Sequence, residues 1–245
     1  LLGHVNLRQS CSVVEAQGNL GSCTAQALVG ALEFLQLKEI EVSGKGRFAD
    51  LSRLFVYYNE RAAMGTVHAD SGAMIRTGIK VLKVHGVCRE KFWPYKVSRF
   101  DQRPPDICYT KALNHQVTAY QRLYSLHEMK ACLGFGLPFV FGFAIYEHVM
   151  SESVAQSGKI RLPKKNERMI GGHAVMAVGY DVAKKTFLFR NSWGKAWGKA
   201  GYGTIPFEYL ESRELSNDFW CIQSTESNLY AIWRPIFDSK TNGRR

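Results

Sequence analysis

The chain has 245 residues, 46% apolar and 22% charged, with no low-complexity tract, which suits one large domain or two small lobes and excludes a disordered protein. The longest apolar stretch, Leu133 to Tyr146, is broken by Pro138 and too short to cross a bilayer, so no membrane span is expected. The formal charge of +11 comes from 32 Lys and Arg against 21 Asp and Glu, spread along the chain, so the expectation is a solvated basic surface and no specific nucleic-acid site.

Nothing near the start reads as a signal peptide, because Arg8, Glu15 and polar neighbours interrupt any apolar run. The chain opens on Leu1 where a complete product would have Met, as a processed or trimmed form does. The first half then reads as helices. Behind Ser22, Ala25, Leu28, Val29, Leu32 and Leu35 recur at helical spacing, with Gln26, Glu33 and Gln36 on the other faces. Leu51, Leu54, Phe55, Tyr58 and Ala62 repeat the pattern, with Asp50 as the expected N-cap. A third helix is expected from about Gly72, with Ile75, Ile79 and Leu82 inward, stopping at Gly86. Trp93-Pro94-Tyr95 and Pro104-Pro105 mark an irregular crossing between lobes.

The second half reads mostly as strands. Ser125 and Glu128 form a capping box that opens a short helix. Strands are expected over 138–145, 173–180, 186–190 and 201–207, separated by Gly, Asp-Val and Trp-Gly turns. Helices first and strands second indicate an α+β protein whose two lobes face each other.

Six cysteines stand at 11, 23, 88, 108, 132 and 221, with no Cys-x-x-Cys pair, so no metal site and no cofactor are expected. With Cys23 as a free nucleophile, five remain and at least one of them has no partner in the chain. Cys23 differs from the others in its setting. The run Gln17-Gly-Asn-Leu-Gly-Ser-Cys23 makes a tight loop that places the thiol at the first turn of a helix, where unpaired N–H groups and the helix dipole favour a thiolate. The same loop brings Gln17 back beside Cys23, so the Gln17 amide and the Cys23 backbone N–H are placed to stabilise an oxyanion. Two further segments carry chemistry: Gly171-Gly172-His173-Ala174 opening an apolar strand, and Asn191-Ser192-Trp193-Gly194.

In this order, Gln, Cys, His and Asn-Ser-Trp-Gly resemble the papain/cathepsin-like cysteine peptidases from Gln17 to about Cys221, in a microbial-type branch. The resemblance implies a papain-like two-lobe fold: a helical lobe over 1–112, a β-barrel-like lobe over 113–245, and the active site in the cleft between them. It implies a cysteine-type endopeptidase acting through a Cys23 thioester. Gln17 is expected as oxyanion donor, Cys23 as nucleophile, His173 as general acid/base and Asn191 as the orienter of the imidazole. Gly21, Ser22, Gly72, Ala73, Gly172, Ala174 and Trp193 are expected to line the substrate, with Gly72 and Ala73 as a ledge for its backbone. A Cys–His ion pair is the expected resting state near neutral pH. Expected partners are protein or peptide substrates and an inhibitory pro-segment, removed or separate, since 16 residues before Gln17 leave it no room. The leaning on location is exported or extracytoplasmic.

Four departures stand out. Thr24 follows the nucleophile where better-known members have Trp, Leu20 and Asp70 occupy positions that there form a disulfide, and Gly172 replaces Asp or Asn before the His. The same acyl-enzyme also serves transfer to another nucleophile or hydrolysis of a narrow amide target, and a blocked cleft would make a binding protein; these readings stay open from sequence alone.

Overall fold

Every side chain from Thr24 to Leu35 is buried in the first helix, α1 (Cys23–Ser43), in the computed structural model, which describes residues 1–226. Gln26 and Glu33, expected on outward faces, are therefore inside. The helix is covered on both sides, and Glu33 is satisfied by the Leu51 N–H at 3.1 Å and the Ser12 hydroxyl at 2.5 Å. Burial pushes its carboxyl up to about 7.

Two helices pack beside α1: α2 (Arg53–Met64) and α3 (Ile75–Val84). The cap of α2 is Ser52, two residues beyond the expected Asp50; its hydroxyl accepts from the Phe55 N–H at 3.1 Å and donates to the Trp93 carbonyl at 2.6 Å. In α3, Ile75, Ile79 and Leu82 face inward as the spacing predicts. It begins after Gly72 because that residue is left-handed (φ +69°) and Met74 is extended. The crossing segment is irregular apart from a single 3-10 turn, Val97–Arg99, and leads into α4 (Asp106–Ala112), which the Pro pair masks in the sequence.

The second half builds an antiparallel sheet of seven strands: β1 (His4–Asn6), β2 (Val117–Arg122), β3 (Phe139–Tyr146), β4 (Met169–Asp181), β5 (Thr186–Arg190), β6 (Tyr202–Pro206) and β7 (Ser216–Thr225), among the described residues. Its order is β2-β7-β3-β4-β5-β6, with β1 paired to β4. The barrel-like lobe expected from the resemblance is thus corrected to an open sheet, since β2 and β6 end the strand order on opposite sides and do not pair with each other. The strand β1 crosses from the N-terminus to pair with Gly179–Asp181, beyond the reach of β3, so residues 4–6 belong in space with the second half. Gly179 permits this, because a Cβ there would lie 2.3 Å from the Val5 carbonyl oxygen. Residues 227–245, the end of the expected second lobe, lie outside the described residues.

Short helices fill the edges: α5 (Leu126–Gly134), α6 (Glu152–Ser157) and α7 (Phe207–Glu211). The Ser125 hydroxyl caps α5 through the Glu128 N–H at 3.2 Å, while the Glu128 carboxylate takes the Tyr124 N–H at 2.6 Å, one residue earlier than a capping box has it. Among the described residues no helix is long and apolar enough to cross a membrane.

Replacing Ser52 by Ala removes a cap and leaves the buried Trp93 carbonyl without its donor. A loss of about 1–2 kcal/mol of stability is expected, read as a lower denaturant midpoint with unchanged slope.

Candidate active site

Cys23 is the first residue of α1, so its sulfur sits where the helix N–H groups are unpaired. Ser22 before it does not cap the helix. It is fully buried and shares a 2.6 Å hydrogen bond with the Tyr95 hydroxyl, which donates to the Gln17 carbonyl at 2.9 Å. The nucleophile loop is thereby fastened from behind, and Ser22 does not reach the cleft wall where the sequence reading puts it.

Gln17 is held at both ends of its amide. Its Nε2 donates to the Leu20 carbonyl at 2.9 Å, and its Oε1 accepts from the Ser192 hydroxyl at 2.6 Å. The Gln17 backbone N–H donates to the Ser192 carbonyl at 2.8 Å. Ser192, one residue beyond Asn191, thus ties the oxyanion candidate to the sheet, a role that a lone Ser in the sequence does not announce.

His173 sits on β4 opposite Phe143 of β3. Its Nε2 lies 2.7 Å from Asn191 Oδ1, which also accepts the Ser192 N–H at 2.8 Å. An oxygen already serving as acceptor requires Nε2 to be the donor, which leaves Nδ1 as the basic nitrogen of the neutral ring. Trp193 stacks on the imidazole at 4.6 Å between centroids and 28° between planes, and Phe143 meets it edge-on at 5.7 Å. Trp193 in turn bridges to Ala16, just before Gln17. The ring therefore has one orientation.

The backbone N–H groups of Ala174, Thr24 and Cys23 act on the sulfur to favour its thiolate, and Ala174 adjoins His173. Burial nonetheless pushes the Cys23 thiol up to about 11, outweighing those N–H groups, with the Glu60 carboxyl adding to the rise. Burial likewise brings His173 down to about 4, against the opposing bond to Asn191. Burial thus disfavours each charge taken alone, while a thiolate and an imidazolium formed together leave the net charge of the site unchanged.

A cleft of about 820 Å³ opens over these groups. Gln17, Gly21, Cys23, Gly72, Ala73, Gly172, His173, Ala174 and Trp193 lie on its wall, as the sequence reading has them. Asn191 lies behind the wall, buried against Ala174. The sequence reading missed Ile75, Phe143, Met150, Met169, Leu215 and Asp218, which also line it. They come from separate segments, and only Ile75 had been marked, as core.

The family model described as papain family cysteine protease matches residues 3–216. An uncharacterized peptidase C1-like protein of Acanthamoeba polyphaga mimivirus is 41% identical over 228 residues, covering 89% of this chain and 72% of that one. Cysteine proteinase 1 of Entamoeba histolytica is 28% identical over 200 residues, and there the match spans 80% of this chain and 60% of the relative. Among solved structures, xylellain, a cysteine protease from Xylella fastidiosa, superposes with a TM-score of 0.82 at 42% identity, covering 91% of this chain and 86% of that one.

Burial disfavours a free Cys23 thiolate, so alkylation by iodoacetamide is expected to draw the thiol proton onto His173 Nδ1. Once the imidazole is protonated it cannot do so, and its pKa lies at about 4. The alkylation rate is therefore expected to hold from neutrality downward and to fall only as the pH drops through about 4. Peptide mapping after timed quenching measures it; a fall centred near 6.5, the ordinary imidazole value, contradicts the burial argument.

Proposed function

This chain belongs to the papain family of cysteine proteases and is a peptidase; on that premise we propose that it is an endopeptidase working through a Cys23 thioester, with His173 as acid/base and Asn191 as orienter. The observation that carries this reading is the His173 ring, fixed by Asn191 and Trp193, on the wall of the same cleft as the Cys23 thiol.

The chemistry follows from those positions. As the sulfur attacks the scissile carbonyl, the thiol proton passes to His173 Nδ1 and the carbonyl π electrons move onto oxygen. The transfer leaves the net charge of the site unchanged, so a buried pair makes it more readily than either group ionises alone. The oxyanion meets the Cys23 N–H and the Gln17 amide; losing one such donor costs about 3 kcal/mol of transition-state stabilisation. The imidazolium then protonates the departing amine as the C–N bond breaks. Water attacks the thioester with His173 as base, releasing the acid and restoring the thiol.

Substrates are peptides bound along the cleft, their backbone laid on Gly72 and Ala73. Across from Ala174 on the neighbouring strand, Gly142 has Ile75 close by, with the Asn217 amide oxygen as the polar neighbour, and Leu215 also lines the cleft. The Asp218 carboxylate on that side is already occupied by the Arg76 N–H at 3.0 Å and the Trp220 indole N–H at 2.7 Å. An apolar residue two before the scissile bond is therefore preferred. A pro-segment supplied by this or another chain is the proposed regulatory partner.

A peptidyl epoxide is expected to label Cys23 and abolish cleavage of fluorogenic dipeptide amides under reducing conditions, with longer peptides cut internally by mass spectrometry. Replacing His173 by Ala is expected to lower turnover by about 10²–10⁴-fold. Near-normal rates remove His173 from the mechanism. Labelling without cleavage across a broad panel favours acyl transfer or a narrow amide target. A positional-scanning library showing no preference two residues before the cut refutes the apolar subsite.

A further inference from the structure

We infer that Asp70 is a positioning residue: through Tyr57 it locks the nucleophile loop and the substrate ledge into one unit by hydrogen bonds. The inference deepens the peptidase reading and rests on it.

The loop residue Gly21, two before the nucleophile, donates its N–H to both Asp70 oxygens, each at 3.0 Å. The Tyr57 hydroxyl donates to Asp70 Oδ1, and the Tyr57 oxygen accepts the Gly72 N–H at 3.1 Å. A continuous polar path thus runs from the ledge to the loop: Gly72, Tyr57, Asp70, Gly21. With Leu20 and Asp70 at the positions where a covalent bridge would stand, this path is the tie between the two segments.

The parts are built for it. Tyr57 is fully buried on α2, with the Arg61 guanidinium 4.1 Å from its ring centroid. Arg61, also fully buried, donates to the carbonyls of Val67 at 2.6 Å, Ala69 at 3.2 Å and Phe100, fixing the turn from which Asp70 projects. Gly21 approaches so closely that a Cβ would lie 3.1 Å from Asp70 Oδ1 and 3.4 Å from both the Gly72 nitrogen and the Tyr57 hydroxyl. Gly72, at φ +69°, takes a backbone conformation that other residues rarely adopt. Loop and ledge are therefore in direct contact at glycines, and their relative placement is set by the polar atoms between them.

Asp70 is exposed, so its removal takes little from the core. What it fixes is where Gly72 stands relative to Cys23, which is a matter of substrate binding before chemistry. Asn is the informative replacement: one acceptor oxygen becomes an NH₂ donor facing the Gly21 N–H.

The test measures KM and kcat on a dipeptide amide, and separately Ki and the maximal inactivation rate for a peptidyl epoxide, for Asp70→Asn, Tyr57→Phe and the double variant. Each single variant is expected to raise KM and Ki by about fivefold, the change that one net hydrogen bond makes, with kcat and inactivation rate within about twofold. The double variant is expected to be no worse than the worse single one, because either change breaks the same path. KM and Ki within twofold of the parent overturn the inference. So do independent, multiplying effects, or a lower Tm with unchanged Ki in the epoxide-titrated fraction, which would mark Asp70 as a stability residue only. The epoxide constants are read whether or not amides turn over, so failure of the peptidase reading appears in the parent protein and is not mistaken for failure of the tie.

Discussion

The sulfur of Cys23 and the imidazole of His173 come from different halves of the chain, and the seating of α1 against β4 is what brings them together. On the adjoining strand β5 the same helix makes room at a glycine. A Cβ at Gly30 would lie 2.2 Å from Arg190 Nη1, and Arg190 immediately precedes Asn191. The buried guanidinium also donates to the Val13 carbonyl, so the segment leading into Gln17, the nucleophile helix and the orienter are keyed to one side chain. Close-packed interiors transmit such constraints with little slack. That is why an Asn on one strand can fix a ring serving a thiol on a helix.

Burial supplies this rigidity and also opposes the charges that the chemistry needs. Cys23 and His173 are both driven toward their neutral forms. Glu60 shows how the surroundings limit the penalty. It is completely buried on α2, with the Thr24 hydroxyl donating to its Oε2 at 2.8 Å. Burial raises its carboxyl to about 8, which favours the neutral acid near neutral pH and so weakens the repulsion that its charge would exert on the sulfur. Thr24 thereby gains a physical reason to stand where better-known relatives carry Trp: its short hydroxyl side chain donates to a buried acid at 2.8 Å.

Local chemistry was readable in the sequence and assembled geometry was not. The loop from Gln17 to Cys23, the strand at His173 and the turn at Asn191 are contiguous signals, and each is present, although the strand opens earlier than the pattern has it, at Met169. The thiol's position at the mouth of α1 and the strand over 186–190 follow from spacing alone. The strand β7 was not readable, because Asp218 at φ +59° and a register shift against β3 break its alternation. Nor was the burial of Gln26 and Glu33, since period alone cannot tell a surface helix from one packed on two sides. The direction in which burial moves Cys23 and His173 was out of reach for the same reason: it depends on how much water the fold removes, which no motif records.

Specificity is the property furthest from the sequence, because the cleft wall is gathered from six places: 17–24, 71–75, 142–150, 169–174, Trp193 and 214–218. Its composition nonetheless constrains the substrate. Among the described lining residues there is no Lys or Arg, although the chain carries a net charge of +11, so the basic surface and the cleft are separate features. The only acidic residues on the wall are Glu214 and Asp218, and Asp218 is spent on internal donors. The rim instead bears Met74, Met150, Met169 and Ile170, between 43% and 61% exposed. Apolar side chains held open to water gain about 25 cal/mol for each Å² that a bound peptide covers. Unbranched methionines reshape to whatever covers them. Such a border selects for apolar area while tolerating its shape, and leaves backbone register to be set by the ledge at Gly72 and Ala73.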